Sequence, residues 1–271
     1  MGFVQGLQAI VRTPRGRSDL ARHFLVSFGA VALLVLAAQA AGARLPDAAA
    51  LGVPVVAGLI WAPARAYPRC PVTRQLTHPD VTVTVRVGDP LALDADLVIG
   101  FADTFDTDLS GLRGQLLGRM YDGDLERLDS ELDRALAAVV PRSVETRATK
   151  PRGKLKRYPL GTVATIGSPY RKVHCVASVR VDADVTARAS VDDLWLSLGR
   201  LWAAIAREGP VDRVAVPIVE ADPDLLIKMV VLSFVAQART RAVARELTLV
   251  VRRPDAGAVD LLETRAFLAA L

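Results

Sequence analysis

Acids and bases are the residues in this chain that could do chemistry, and they are unevenly placed. Asp103 and Asp106 sit in the segment FADTFDTD, where two carboxylates could act as acid and base. Turn chemistry explains aspartate in such a segment equally well. A second acidic group, Glu220, Asp222 and Asp224, surrounds Pro223. Carboxylates there suit the start of a helix, which favours negative charge. The stretch from Arg142 to Arg157 is the reverse, with seven cations against one acid. It reads as a solvated surface loop, as an attractor for phosphate, or as a contact for anionic lipid. The three histidines, His23, His78 and His174, are scattered. Neither a metal-ligand cluster, nor a Walker loop, nor a Ser-His-Asp arrangement can be read.

The elements that must position these residues fall into two regions. The chain has 271 residues, 51 % hydrophobic but only 5 % aromatic, and its mean hydropathy is +0.29. Residues 1–80 hold eight Arg and three Asp, a balance of +5, and the rest holds 26 basic and 26 acidic residues. The basic pI therefore belongs to the N-terminal region, which argues against nucleic acid as a partner, since that needs a basic folded domain. Cys70 and Cys175 are the only cysteines, consistent with a reducing compartment.

Phe24 to Ala43 is twenty residues without charge, and Ala48 to Ala64 is seventeen more after a short polar turn. At about 1.5 Å per residue the first run reaches across a hydrocarbon core of about 30 Å. The expectation is a helical hairpin of two transmembrane helices, about 24–43 and 48–64, within a membrane region 1–66. Arginines flank both outer ends: Arg12, Arg15, Arg17 and Arg22 before, Arg65, Arg69 and Arg74 after. The positive-inside rule then predicts a multi-pass inner-membrane protein with both termini cytoplasmic. Residues 67–80 read as a linker.

From residue 81 to 271 strand and helix signals alternate. Val81 to Val87 has the strand period, and Leu97 to Gly100 is a second strand candidate. Leu125, Leu128, Leu132 and Leu136 form one helical stripe that stops before Pro141. Leu160–Ile166, Lys172–Val181, Arg213–Ile218 and Glu246–Val251 read as strands. Ser190 caps a helix that buries Val191, Leu194, Trp195, Leu198, Leu201, Trp202 and Ile205; another follows Asp222-Pro223, and Val259–Leu271 closes the chain. The pattern predicts a three-layer α/β/α domain with a mixed, mostly parallel sheet. Ligands of such sheets bind beyond the carboxyl ends of the strands, which points to 88–90, 100–115, 158–164 and 218–225.

Those segments resemble the macro domain, a fold that binds ADP-ribose and related nucleotides. The family's Gly-Asp-Ile is matched by Gly88-Asp89-Pro90, which implies that Asp89 accepts a hydrogen bond from an adenine amino group. Its Asn-Ala-Ala-Asn turn falls on Gly100 to Asp103. Its glycine loop falls on Gly111-Leu112-Arg113-Gly114-Gln115-Leu116, where backbone N–H groups at a helix start can approach a phosphate. The implied ligand-binding set is Asp89, Pro90, Asp103, Thr104, Asp106, Ser110, Gly111, Leu112, Arg113, Gly114 and Gln115, with Val219, Glu220, Ala221 and Asp222 in a second loop. That second loop is Gly-rich in the family and acidic here, which leaves two readings: Asp222 and Asp224 cap a helix, or Glu220 meets a cationic part of the ligand.

The whole arrangement, with its Phe105-Asp106-Thr107, resembles the membrane-anchored macro effectors of type II Thoeris antiphage systems. The resemblance implies an effector that senses an ADP-ribose-type signal, such as histidine-ADP-ribose, made by a partner TIR-domain protein. The effector then forms a homo-oligomer and compromises the membrane lipid, causing abortive infection. No other cofactor is implied. Where macro hydrolases place an Asp, this chain has Arg113, and a guanidinium is no base near neutral pH. The expectation is a binding protein without catalytic residues. A tethered ADP-ribosyl hydrolase or NAD-consuming enzyme is the alternative, and a protein-binding scaffold is a third.

Overall fold

The computed structural model describes residues 14–42, 46–66, 71–107, 111–181, 187–188, 190–209, 211–218 and 222–271. They form two compact units. The first consists of helices α1 (Pro14–Ala40) and α2 (Asp47–Ala66), together with Ala256–Ala270. Within α1, Leu20–Ala40 has 21 residues and a mean hydropathy of 2.0, long and apolar enough to cross a membrane. Ala48–Ala64 in α2 is apolar but shorter, and Pro54 and Pro63 lie inside that helix. The two helices pack closely where Gly58 faces Phe24, since a Cβ at Gly58 would stand 2.7 Å from the ring. The closing helix, Leu261–Ala269, groups with this unit and not with the α/β domain to which its sequence position assigned it.

The second unit covers Pro71–Asp255. Its strands are β1 (Val72–Thr77), β2 (Asp80–Val87), β3 (Asp96–Ala102), β4 (Ser143–Val144), β5 (Lys156–Arg157), β6 (Val163–Ser168), β7 (Arg171–Val181), β8 (Ala187–Arg188), β9 (Val211–Ile218) and β10 (Ala244–Val251). Its helices are α3 (Gly111–Met120), α4 (Leu125–Leu136), α5 (Val191–Glu208) and α6 (Pro223–Ala238). The main sheet runs β1-β2-β10-β9-β3-β7-β6, with β8 on β7 and a separate β4–β5 pair. The neighbours from β2 through β7 are parallel, and β1 and β6 run antiparallel at the edges. The sheet is thus mixed and mostly parallel.

β3 shows why the strands read as apolar runs. Leu97, Ile99 and Phe101 point into one core with Leu117 of α3 and Leu128, Leu132 and Leu136 of α4. Val98, also buried, points to the other face. The buried residues of α5 and α6 lie outside that first core. There Trp202 meets Phe234 edge-on at 5.3 Å and donates its indole N–H to Ser233 Oγ at 2.9 Å. The helices start where the capping residues demand. Asp124 accepts from the Arg127 amide, Ser190 from Asp193 and Asp222 from Leu225, each such cap contributing about 1 kcal/mol.

Several expectations are corrected. Val72–Thr77, read as linker, is an edge strand. Leu125 is exposed, so the α4 stripe begins at Leu128. Val191 and Trp195 are exposed as well, and only Trp202 of the tryptophan pair is a core residue. The basic stretch 142–157 is no free loop: it contains the β4–β5 hairpin and forms several ion pairs.

Candidate functional site

The parallel strands end together. Val87 of β2 pairs with Val251 of β10, which pairs with Ile218 of β9. Just beyond these ends stand Gly88-Asp89, Arg252 and, after β3, Asp103. The Gly88 amide still donates to Val251 O at 2.9 Å, so Asp89 is the first residue free of the sheet.

Asp89 is already engaged. Its Oδ1 accepts from the Leu91 amide at 2.9 Å, capping the 3-10 turn Pro90–Ala92, and its Oδ2 takes an ion pair from Arg119 at 2.8 Å. The Arg119 hydrogen bond holds the carboxyl below its ordinary value. Pro90 is buried at the first position of that turn, and its carbonyl accepts from Arg171. Arg119 also lines a 440 Å³ cavity with Tyr121, Arg127, Glu131 and Arg171.

Asp103 and Asp106, the pair that could have worked as acid and base, are occupied by cations from the basic stretch. Arg157 Nη1 reaches both oxygens of buried Asp103 at 3.1 Å, and the Val181 amide donates to the same carboxylate at 3.3 Å. Arg157 also pairs with Glu145 at 2.7 Å. Asp106 accepts from Lys150 Nζ at 2.5 Å, from the Lys154 amide at 2.5 Å and from Thr104 Oγ1 at 2.7 Å. Burial alone would raise the Asp106 pKa; the three donors outweigh it and hold the acid below its ordinary value. Lys154 Nζ continues the network to Asp129 and Asp133 on α4.

Phe105 anchors this corner. It is fully buried, adopts φ +52°, and lies between Phe101, stacked at 5.6 Å, and Tyr158, edge-on at 5.7 Å. A phenylalanine in the left-handed region is uncommon and is sustained by such packing. It turns Asp106 toward Lys150, while Thr107 Oγ1 donates to Asp129 at 2.9 Å.

Gly111 opens α3 and Gly114 is buried in its first turn. The first amides of a helix lack intrahelical partners and can receive an anion. The helical backbone of Leu112, Arg113 and Gln115 is described, but their side chains lie outside the described residues, as do Ser110, Val219, Glu220 and Ala221 entirely. Asp222 is the cap of α6, which is the bland reading of the acidic loop. Among the described residues no group of His, Cys, Asp and Glu could hold a metal ion.

Lys150, Lys154 and Arg157 were not singled out in the sequence. The signal was present as charge complementarity, a cationic stretch that pairs with Asp103 and Asp106, but sequence distance hid the pairing.

A family model described as Thoeris protein ThsA, Macro domain, matches residues 83–252, more than half of the chain. No characterised protein matches by sequence. Solved structures similar to the chain include three of the Oceanobacillus iheyensis macrodomain. A Gly-to-Val variant with ADPR is 12 % identical, with a TM-score of 0.49 over 73 % of this chain and 100 % of that one. The form with ADP is 12 % identical, with a TM-score of 0.48 over 74 % and 99 %. An Asp-to-Ala variant is 11 % identical, with a TM-score of 0.48 over 74 % and 99 %. The family assignment rests on the sequence match alone: this chain belongs to the Thoeris ThsA macro-domain family.

Proposed function

We propose that this chain is a membrane-anchored effector of antiphage defence that senses an ADP-ribose-type nucleotide. Gly111 and Gly114 in the first turn of α3 carry the reading, because glycines at a helix start suit the close approach of a pyrophosphate to the first backbone amides. Asp89 accepts the adenine amino group on its outward-facing oxygen, in exchange for Arg119. The resemblance assigns Ser110, Leu112, Arg113 and Gln115 to the phosphate-binding segment, to which Arg113 brings a positive charge, and Thr104 donates to Asp106. The resemblance assigns Val219, Glu220, Ala221 and Asp222 to a second ligand-binding loop, where the charge of Glu220 suits a cationic group such as an imidazolium.

The site binds and does not hydrolyse. Asp103 and Asp106 are both committed to ion pairs, and a carboxylate held by a lysine and two further donors is a poor base. Deprotonation of a water by either group would require the network to open first.

A TIR-domain protein supplies the signal, such as histidine-ADP-ribose. The two N-terminal helices sit in the inner membrane with both termini cytoplasmic, and the unit of residues 71–255 is the macro-like region. A single hairpin presents too little surface for a pore, and its small residues, among them Gly29, Ala30, Ala37 and Ala38, suit helix contacts between protomers. Ligand therefore acts through its differential affinity for an assembled state. The test is the mass of the full chain in detergent micelles, with and without histidine-ADP-ribose. An increase to a discrete oligomer supports the reading; an unchanged mass with ligand bound contradicts the coupling.

A further inference from the structure

A second cavity, of 650 Å³, opens where β6 forms the edge of the sheet beside α5 and α6. Arg200 and Arg207 of α5 and Arg241, just past α6, line it with the Gln237 amide; Ala203 and Val163 supply apolar wall. Arg207 and Arg241 precede β9 and β10, so they lie at the end of the sheet away from Asp89 and Asp103. The residues above are not shared with the candidate nucleotide site.

The charge here is uncompensated. Among the described residues no carboxylate stands within 4.0 Å of the three guanidinium groups, although Lys150, Lys154, Arg157, Arg180 and Arg213 all have acids at that range. The adjacent acid, Glu208, is taken by Lys172 and Thr165. The backbone is also shaped around one arginine. Arg200 Nη1 donates to Leu160 O at 2.5 Å, and Gly161 adopts φ +78° where a Cβ would overlap the Arg200 stem. An arginine held by the Leu160–Gly161 turn, beside two more with no acid within reach among the described residues, differs from cations merely spread over a surface.

We propose that this cavity is a second anion site, which takes the phosphate group of a small phosphorylated ligand or of a lipid headgroup. Guanidinium forks match phosphate oxygens in pairs, and three of them around one concave wall can hold a doubly charged group that a single surface arginine cannot. The alanines and Val163 leave room for an apolar or flat remainder of the ligand.

The test uses the full chain in detergent micelles, titrated calorimetrically with inorganic pyrophosphate and, separately, with short-chain phosphatidylglycerol against phosphatidylcholine. Three proteins are compared: wild type, Arg207→Glu/Arg241→Glu, and Gly114→Glu. Among the described residues neither the Arg207 nor the Arg241 side chain holds a hydrogen-bond or ion-pair partner, so the double variant should melt like wild type. The site predicts saturable binding of pyrophosphate or phosphatidylglycerol to wild type and to Gly114→Glu, weakened by about tenfold or more in the double variant. Saturation by pyrophosphate assigns a free ligand, and saturation by phosphatidylglycerol alone assigns a headgroup. Equal binding by wild type and the folded double variant overturns the proposal, as does a wild type that binds neither probe. Loss of all binding in Gly114→Glu with retention in the double variant overturns it too, by returning the anion to the α3 glycines.

Discussion

Lys150 and Asp106 are 44 residues apart in sequence, and their charged atoms meet at 2.5 Å with the lysine only 3 % exposed. Lys150 Nζ also donates to the Lys154 carbonyl, and the Lys154 amide returns to Asp106, closing a ring of three contacts. The β4–β5 hairpin is thereby fastened to the corner that follows β3. This pairing decides the character of the site, because it turns its most prominent acid into structure.

Removing the acid should be costly. Asp106→Asn leaves an ammonium buried without its counter-charge, at about 3 kcal/mol. For a domain of this size that lowers Tm by about 6–12 °C, measured by thermal unfolding of the full chain in detergent. Lys150→Met in the same chain should recover part of the loss, since the buried charge goes with it. A Tm within a degree or two of wild type for Asp106→Asn would show that the pair contributes little.

The same pair fixes a pH dependence. The folded pKa of Asp106 lies below its unfolded value, so the folded state binds the proton less readily. Its contribution is fully present above the ordinary aspartate value of about 3.9 and is lost as pH falls through the folded value. Wild type should lose stability between pH 5 and lower values more steeply than Asp106→Asn, about where the unfolded carboxyl titrates. Parallel pH profiles for the two proteins would contradict this.

Asp89 separates stability from recognition. Its ion pair with Arg119 is largely exposed, 60 % and 40 % for the two side chains, and is worth at most about 1 kcal/mol. Asp89→Asn should retain the turn, with a Tm close to wild type. Binding of an adenine nucleotide, read by calorimetry, should weaken by about tenfold as a charged acceptor is lost. Arg119→Ala should not weaken it. Equal affinity of wild type and Asp89→Asn would remove Asp89 from the adenine position.

Membrane topology is tested by labelling single cysteines in intact cells. With Leu45→Cys, between the two apolar runs of the sequence, an impermeant maleimide should react from outside. With Asp255→Cys it should not, until the cells are opened. Reaction at position 255 in intact cells would place the α/β unit outside and reverse the orientation.

How much of this could be read from the sequence depended on the range of the interaction. β9 and β10 were legible as apolar runs bounded by turn residues, and β2 because its valines alternate with polar residues in the strand period. The caps Ser190 and Asp222 were legible because a cap acts over three residues. β1 was missed because only Val72 and Leu76 of its six residues are buried, which leaves an edge strand without alternation. Trp195 was misread because helical spacing gives a face, not the extent of its cover, and seven residues on Trp202 is buried while Trp195 is 46 % exposed. The glycines of α3 and the acids at 103 and 106 were visible as residues. Their partners were not, since Arg157 lies 54 residues from Asp103 and no local rule links them.

The central claim is that the first turn of α3 receives the phosphates of an ADP-ribose-type nucleotide, and calorimetric titration of the full chain with histidine-ADP-ribose tests it most directly. Gly114 is buried in that turn, so Gly114→Glu puts both bulk and negative charge where the phosphates would lie. The account predicts saturable binding to wild type and a loss of about a hundredfold or more in a Gly114→Glu chain that still melts cooperatively. Equal affinity in the two proteins, or no heat with wild type, would contradict it.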